Sequence, residues 1–238
     1  MRGCLSVLVL ASLFAAAGVW FGGRPAAAFL LDTGLTAGGF RAAEREVVVE
    51  ADPPFVLVGG RADAVHLRAS GVEFADGVTA SELDLTLSSV DILGRTFERV
   101  DGDLSGVVLE QPGRGAIGPL TLELAGEADS AEATAVLAAN ALLPLLRGAI
   151  ESTVGAQPSG ITLVAPDRVT FRIESVGANS RFIVVDGGLA LRIAVPGVNP
   201  ETIRLLEPPD ALQLTAVRVA PSGLTLSGLL DVAGLIGM

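Results

Sequence analysis

The chain has 238 residues and contains no lysine, no tyrosine, one tryptophan, one cysteine and one histidine. Each shortage closes off a class of chemistry. With nine phenylalanines and a single tryptophan, aromatic cages, sugar platforms and base-stacking surfaces are not its main device. The lone Cys4 sits at the very start, so the rest of the chain has no disulfide, no thiolate nucleophile and no cysteine metal ligand. Only Met1-Arg2-Gly3 precedes it, too little for the hydrophobic segment that a lipoprotein cysteine requires before it. All 16 basic residues are arginine, against 27 acids, for a net charge of −11. Such a field repels phosphates at long range, which argues against nucleic acid as a partner and against purely electrostatic docking on anionic lipid.

What the chain has instead is aliphatic residues: half of it is apolar, enough for a sizeable core in one large domain or two small ones. Arg2, the apolar run Leu5 to Val19 and the small residues Ala26-Ala27-Ala28 read as an export signal over residues 1–28. The rival reading is an uncleaved membrane anchor, since Gly3 to Gly23 is uncharged over 21 residues, about a bilayer span. Either reading places residues 29–238, taken as one domain, outside the cytoplasm.

Beyond the leader the dominant signal is alternation. Val65, Leu67 and Ala69 alternate with His66, Arg68 and Ser70, and Leu83, Leu85 and Leu87 with Asp84, Thr86 and Ser88. A strand has a side-chain period of two, so each segment has one apolar face and one polar face. Asp76-Gly77 between them supplies the turn of a one-sided hairpin. Similar strands are expected at 104–110, 120–124, 168–174, 181–185, 189–195, 211–219 and 224–229. A helix is expected over Phe40 to Glu46. A longer one is expected over Asp129 to Val154, where Val136, Ala139, Leu143, Leu146, Ile150 and Val154 recur at spacings of three and four and Pro144 imposes a kink. A short helical turn is expected at Glu201 to Leu206. The fold class is therefore α+β and β-rich: a curved, largely antiparallel sheet wrapped around one kinked long helix.

Candidate chemistry is sparse. Gly113-Arg-Gly115-Ala-Ile-Gly118 matches G-x-G-x-x-G, but Pro119 and the alternating Leu120 to Leu124 come after it, where a dinucleotide fingerprint would open a helix. His66 falls on the polar side of its strand, and Asp101-Gly102-Asp103 lacks the further oxygens of a calcium loop. No catalytic residue, metal ligand or cofactor site is expected.

Two stretches carry a family likeness: Pro54-Phe55-Val-Leu-Val-Gly-Gly-Arg61-Ala-Asp63-Ala-Val65-His-Leu-Arg68, and Asp76-Gly77 through Leu83-Asp-Leu85-Thr-Leu87. With Leu212 to Val219 and Ser222 to Gly228, they resemble the LmeA-like phospholipid-binding family of exported bacterial envelope proteins. The resemblance implies a tubular lipid-binding-like fold and a non-enzymatic protein whose partners are phospholipid and membrane. It implies a role in envelope lipid or lipoglycan maintenance, with no cofactor. It supplies no set of functional residues. The apolar lining expected on patterning is Phe55, Leu85, Leu87, Leu142, Leu146, Ile150 and Phe171, with Arg61 or Arg68 near a phosphate. The alternative is a solid structural or adaptor β-domain on the outer face of the membrane.

Overall fold

The computed structural model describes residues 22–74, 77–111, 115–194, 199–220 and 222–237. The leader core, Asp76 of the first turn, Gly113 and Arg114 of the glycine motif and the Pro196-Gly197 loop lie outside them. The chain is β-rich, with thirteen strands and three helices among these residues. Eight strands form a large antiparallel sheet in the order β1-β2-β3-β4-β5-β6-β13-β12, and five form a smaller one in the order β11-β10-β9-β8-β7.

The long strands of the large sheet are β2 (Arg61–Glu73), β3 (Val78–Asp91), β4 (Arg99–Gln111) and β5 (Gly115–Glu127). They run as a meander behind β1 (Glu44–Glu50) and ahead of β6 (Ala131–Ala138). The alternation expected from the sequence holds: Val65, Leu67, Leu83, Leu85 and Leu87 are all buried. After β6 the chain leaves the sheet through α2 (Ala139–Val154). It then builds the small sheet from β7 (Pro158–Val164), β8 (Arg168–Ile173), β9 (Val176–Val185), β10 (Gly188–Ala194) and β11 (Glu201–Leu206). It returns as β12 (Leu212–Ala220) and β13 (Gly223–Leu230), with β13 pairing along β6, and ends in α3 (Val232–Ile236).

The large sheet is open, because β1 and β12 stand at opposite edges. The β12 edge is met by turns of the small sheet. Leu214 N–H donates to the Gly187 carbonyl at 2.9 Å and Val219 N–H to the Pro166 carbonyl at 2.6 Å. α2 packs against β5, β6 and β13 of the large sheet and β7 and β11 of the small one. Its buried stripe is Leu142, Leu146 and Ile150, so one apolar core runs through both sheets.

Several expectations are corrected. Residues 131–138 are strand β6 rather than the first half of a long helix: Ala131, Ala133, Ala135 and Leu137 point inward between exposed or half-buried Glu132, Thr134 and Val136. The helix is therefore 16 residues long, and it runs through Pro144 without interruption. At its sixth position the proline removes only the bond that its N–H would have donated to Asn140. Residues 40–46 are not helical, since β1 begins at Glu44, and Glu201–Leu206 is the edge strand β11.

A further helix, α1, covers residues 22–37 and spans the Ala26-Ala27-Ala28 site. Ala27, Leu31 and Leu35, one helical turn apart, are buried against the core. Arg45 fastens α1 to β1. Its guanidinium pairs with Asp32 at 2.5 Å, donates to Thr36 Oγ1 at 2.8 Å and lies 5.7 Å from the centre of the Phe40 ring.

Candidate functional site

The residues expected to line an acyl-chain site divide by location. Leu85, Leu87, Leu142, Leu146, Ile150 and Phe171 are buried, in the closely packed interior where an ordinary core would also put them. Phe55 is not among them. It stands exposed on a 3-10 turn, Pro54–Gly59, between β1 and β2.

Arg68 lies on the outer face of the large sheet, where its Nε pairs with Asp84 at 2.9 Å. In register, Glu46, Arg68, Asp84 and Asp103 form one cross-strand row, beside Glu82 and Glu44. A guanidinium already held by one carboxylate and bordered by others is a poor phosphate receptor. Arg61 is exposed at the start of β2, opposite Asp91.

His66 has companions that strand parity alone does not reveal. Its Nδ1 is 3.1 Å from Thr86 Oγ1 on β3, and its Nε2 is 3.5 Å from Glu50 Oε1 on β1. The three residue types resemble a nucleophile, base and orienting acid. They lie on the polar, outward face of the large sheet, across β1, β2 and β3. Among the described residues no cluster of histidine, cysteine and carboxylates could hold a metal ion.

Two spaces remain. Inside the large sheet, sixteen residues, none with a polar side chain, line a cavity of about 40 Å³ under the β11–β12 connection. Val78, Leu104, Leu120 and Leu226 form part of its wall, with Pro209 and Leu235 above. That volume is far below the roughly 300–1,000 Å³ of small-molecule sites. The second space is a groove of about 610 Å³ along the outer side of α2. Ile117, Pro144, Leu145, Ala149, Ile203 and Leu205 give it an apolar floor, with Ser152, Thr153 and Arg204 around them. The chain matches no family model, no curated protein and no solved structure.

Sequence pattern misses the groove because it joins α2 to β11 and to the start of β5, which are far apart in the chain. The signal that could find it is the half-buried apolar set Leu145, Ile203 and Leu205, next to the buried Leu142-Leu146-Ile150 stripe. Arg204 at its rim is engaged by Asp186 at 2.9 Å and Glu207 at 3.3 Å.

On the outer face of the small sheet, Arg168, Arg181 and Arg192 stand directly opposite one another across β8, β9 and β10. Asp167 pairs with Arg181 at 2.9 Å. Directly opposed like charges destabilise a strand pair, so Arg192→Thr is expected to raise stability by about 0.2–1 kcal/mol at low salt. Added salt should shrink that gain. Thermal unfolding of both proteins at low and high sodium chloride checks this, and a gain that does not depend on salt would contradict it.

Proposed function

We propose that the protein binds phospholipid outside the cytoplasm, without catalysis, and holds an acyl chain against α2 in service of envelope lipid or lipoglycan maintenance. The observation that supports this reading is the groove along α2, whose volume and apolar floor suit an aliphatic chain. Burying sixteen methylene units would contribute on the order of 12 kcal/mol, at about 0.8 kcal/mol each, before the cost of ordering the chain. In this reading α2, the small sheet and the rim of the large sheet act as the lipid-holding part of a tubular lipid-binding-like fold. The apolar leader and the resemblance to exported phospholipid-binding proteins point the same way.

Gly148 offers a direct test. It lines the groove, and a Cβ built on it meets nothing within 4 Å, so Gly148→Trp fills the groove without pressing on the core. Lipid extracted from the purified full chain is expected in the parent and severalfold less in the variant. Equal lipid in both, or none in the parent after incubation with liposomes, rejects the reading.

The small size of the interior cavity favours a second reading, a solid structural or adaptor domain. It predicts no co-purifying lipid and a stable protein partner.

A further inference from the structure

Five large apolar side chains stand out from every other described residue. Phe29, Leu30, Phe55, Val58 and Leu93 are between 53% and 72% exposed, whereas no other large apolar side chain among the described residues exceeds 44%. They come from three elements that meet at one end of the molecule: α1, the 3-10 turn Pro54–Gly59 and the loop after β3. Leu30, Val58 and Leu93 share a groove of about 250 Å³ with Gly23, Ala26 and Leu57. Scattered surface leucines are ordinary, but a contiguous apolar patch marks an interaction surface.

The backbone holds this edge in place. Ile92 N–H donates to the Gly60 carbonyl at 2.7 Å, and Gly60 N–H to the Leu57 carbonyl at 3.0 Å. Asp91 and Thr96 exchange both backbone bonds at the base of the loop, at 2.8 and 3.1 Å, and leave Leu93 at its tip. Arg24 ties α1 to the same region through the Ala51 carbonyl at 3.2 Å. The exposed side chains are thus presented by a braced frame.

We infer that this edge seats in the interfacial region of a lipid bilayer. The sequence supplies the reason for choosing a bilayer over a protein. The uncharged apolar run from Gly3 ends at Gly23, which is itself in the groove. Phe29 lies six residues further along the helix, about 9 Å at 1.5 Å per residue. Wherever that run enters a membrane, the edge is brought to the surface beside it.

The charges agree. Arg24, Arg61 and Arg95 are exposed around the patch in a chain that is otherwise rich in acid, where long cationic side chains can reach headgroup phosphates. Of the nearby acids, Asp91 accepts from Gly94 N–H at 2.8 Å and Asp63 from Asp52 N–H at 2.6 Å. Asp32 is held by Arg45.

This edge is remote from the α2 groove, so either can fail to bind lipid without the other. Leu93 comes just after one end of β3, whereas Ile117 of that groove lies in register with Leu109 and Val78 at the other end.

The test uses the full chain with Trp20→Phe and a single new tryptophan, in phosphatidylcholine vesicles with or without brominated acyl chains. Emission from Leu93→Trp and from Val58→Trp is expected to be blue-shifted and roughly halved by brominated lipid. Val176→Trp, at the start of β9, should be little affected. Adding Phe55→Asp to Leu93→Trp should remove most of the quenching while the far-ultraviolet circular dichroism stays unchanged. Blue-shifted emission that brominated lipid does not quench means the edge is covered by protein, either the leader or a second copy, and overturns the assignment. So does equal quenching at all three positions, or water-like emission at residues 58 and 93.

Discussion

Leu146→Ala is expected to lower the unfolding free energy by about 2–5 kcal/mol. Leu146 is fully buried, in the middle of the α2 stripe. Elements of both sheets press on that helix, so the surroundings cannot collapse far into the space left by the removed methyl groups. The cost should therefore fall well above the lower bound. Leu145→Ala on the same helix is the natural comparison. Leu145 is half-buried and faces the 610 Å³ groove, so its removal should cost no more than about 1 kcal/mol of stability while weakening any lipid held there. Urea unfolding of both variants, with the slopes compared, measures the contrast. Equal losses would mean that α2 does not sit between the sheets as described.

The second large effect is expected at Gly102→Ala. In register, Gly102 faces Leu85 on β3 and Leu124 on β5, and its φ of +153° is outside the range that side chains readily adopt. A Cβ there would overlap the Asp84 carbonyl oxygen and stand 2.9 Å from the Leu85 Cα. Both obstacles are backbone, so the strands must separate. Backbone strain and broken ladder bonds together should cost about 3 kcal/mol or more. Gly148→Ala, in the open middle of α2, carries neither penalty and should instead stabilise by about 0.5–1 kcal/mol. Thermal unfolding should show the two glycine-to-alanine changes moving in opposite directions. Gly102→Ala at parental stability would refute the close approach of β3 and β4.

Most strands of this fold are legible in the sequence, together with the direction they face. Leu83, Leu85 and Leu87 are dry because every second residue is apolar, and they remain dry in the structure. The α2 stripe is legible in part at a period of 3.6: Leu146 and Ile150 of the expected face are buried, whereas Leu143 is half-buried, Val154 is exposed and Leu142 completes the stripe. The failures occur where a residue type fits both periods. Ala131, Ala133 and Ala135 favour a helix by intrinsic propensity, but they occupy the inward face of β6 because β5 and β13 flank that segment and pair with it on both sides. Ala26-Ala27-Ala28 reads as the end of a leader, although Ala27 belongs with Leu31 and Leu35 to the helical face that docks α1.

The proposed lipid groove and the exposed edge show the same limit. Alternation marks Leu85 and Phe171 as one face of a strand, but no local pattern says whether Leu93 and Phe55 are covered. By itself the sequence determined a β-rich, aliphatic chain of one-sided strands with an amphipathic helix and an apolar N-terminal run, because these properties arise from composition and period. Only the tertiary structure decided that β13 returns to β6 around an inserted sheet, and that Leu93 and Phe55 are left uncovered. Burial depends on whether another layer lies above a side chain, and that layer comes from residues distant in the sequence.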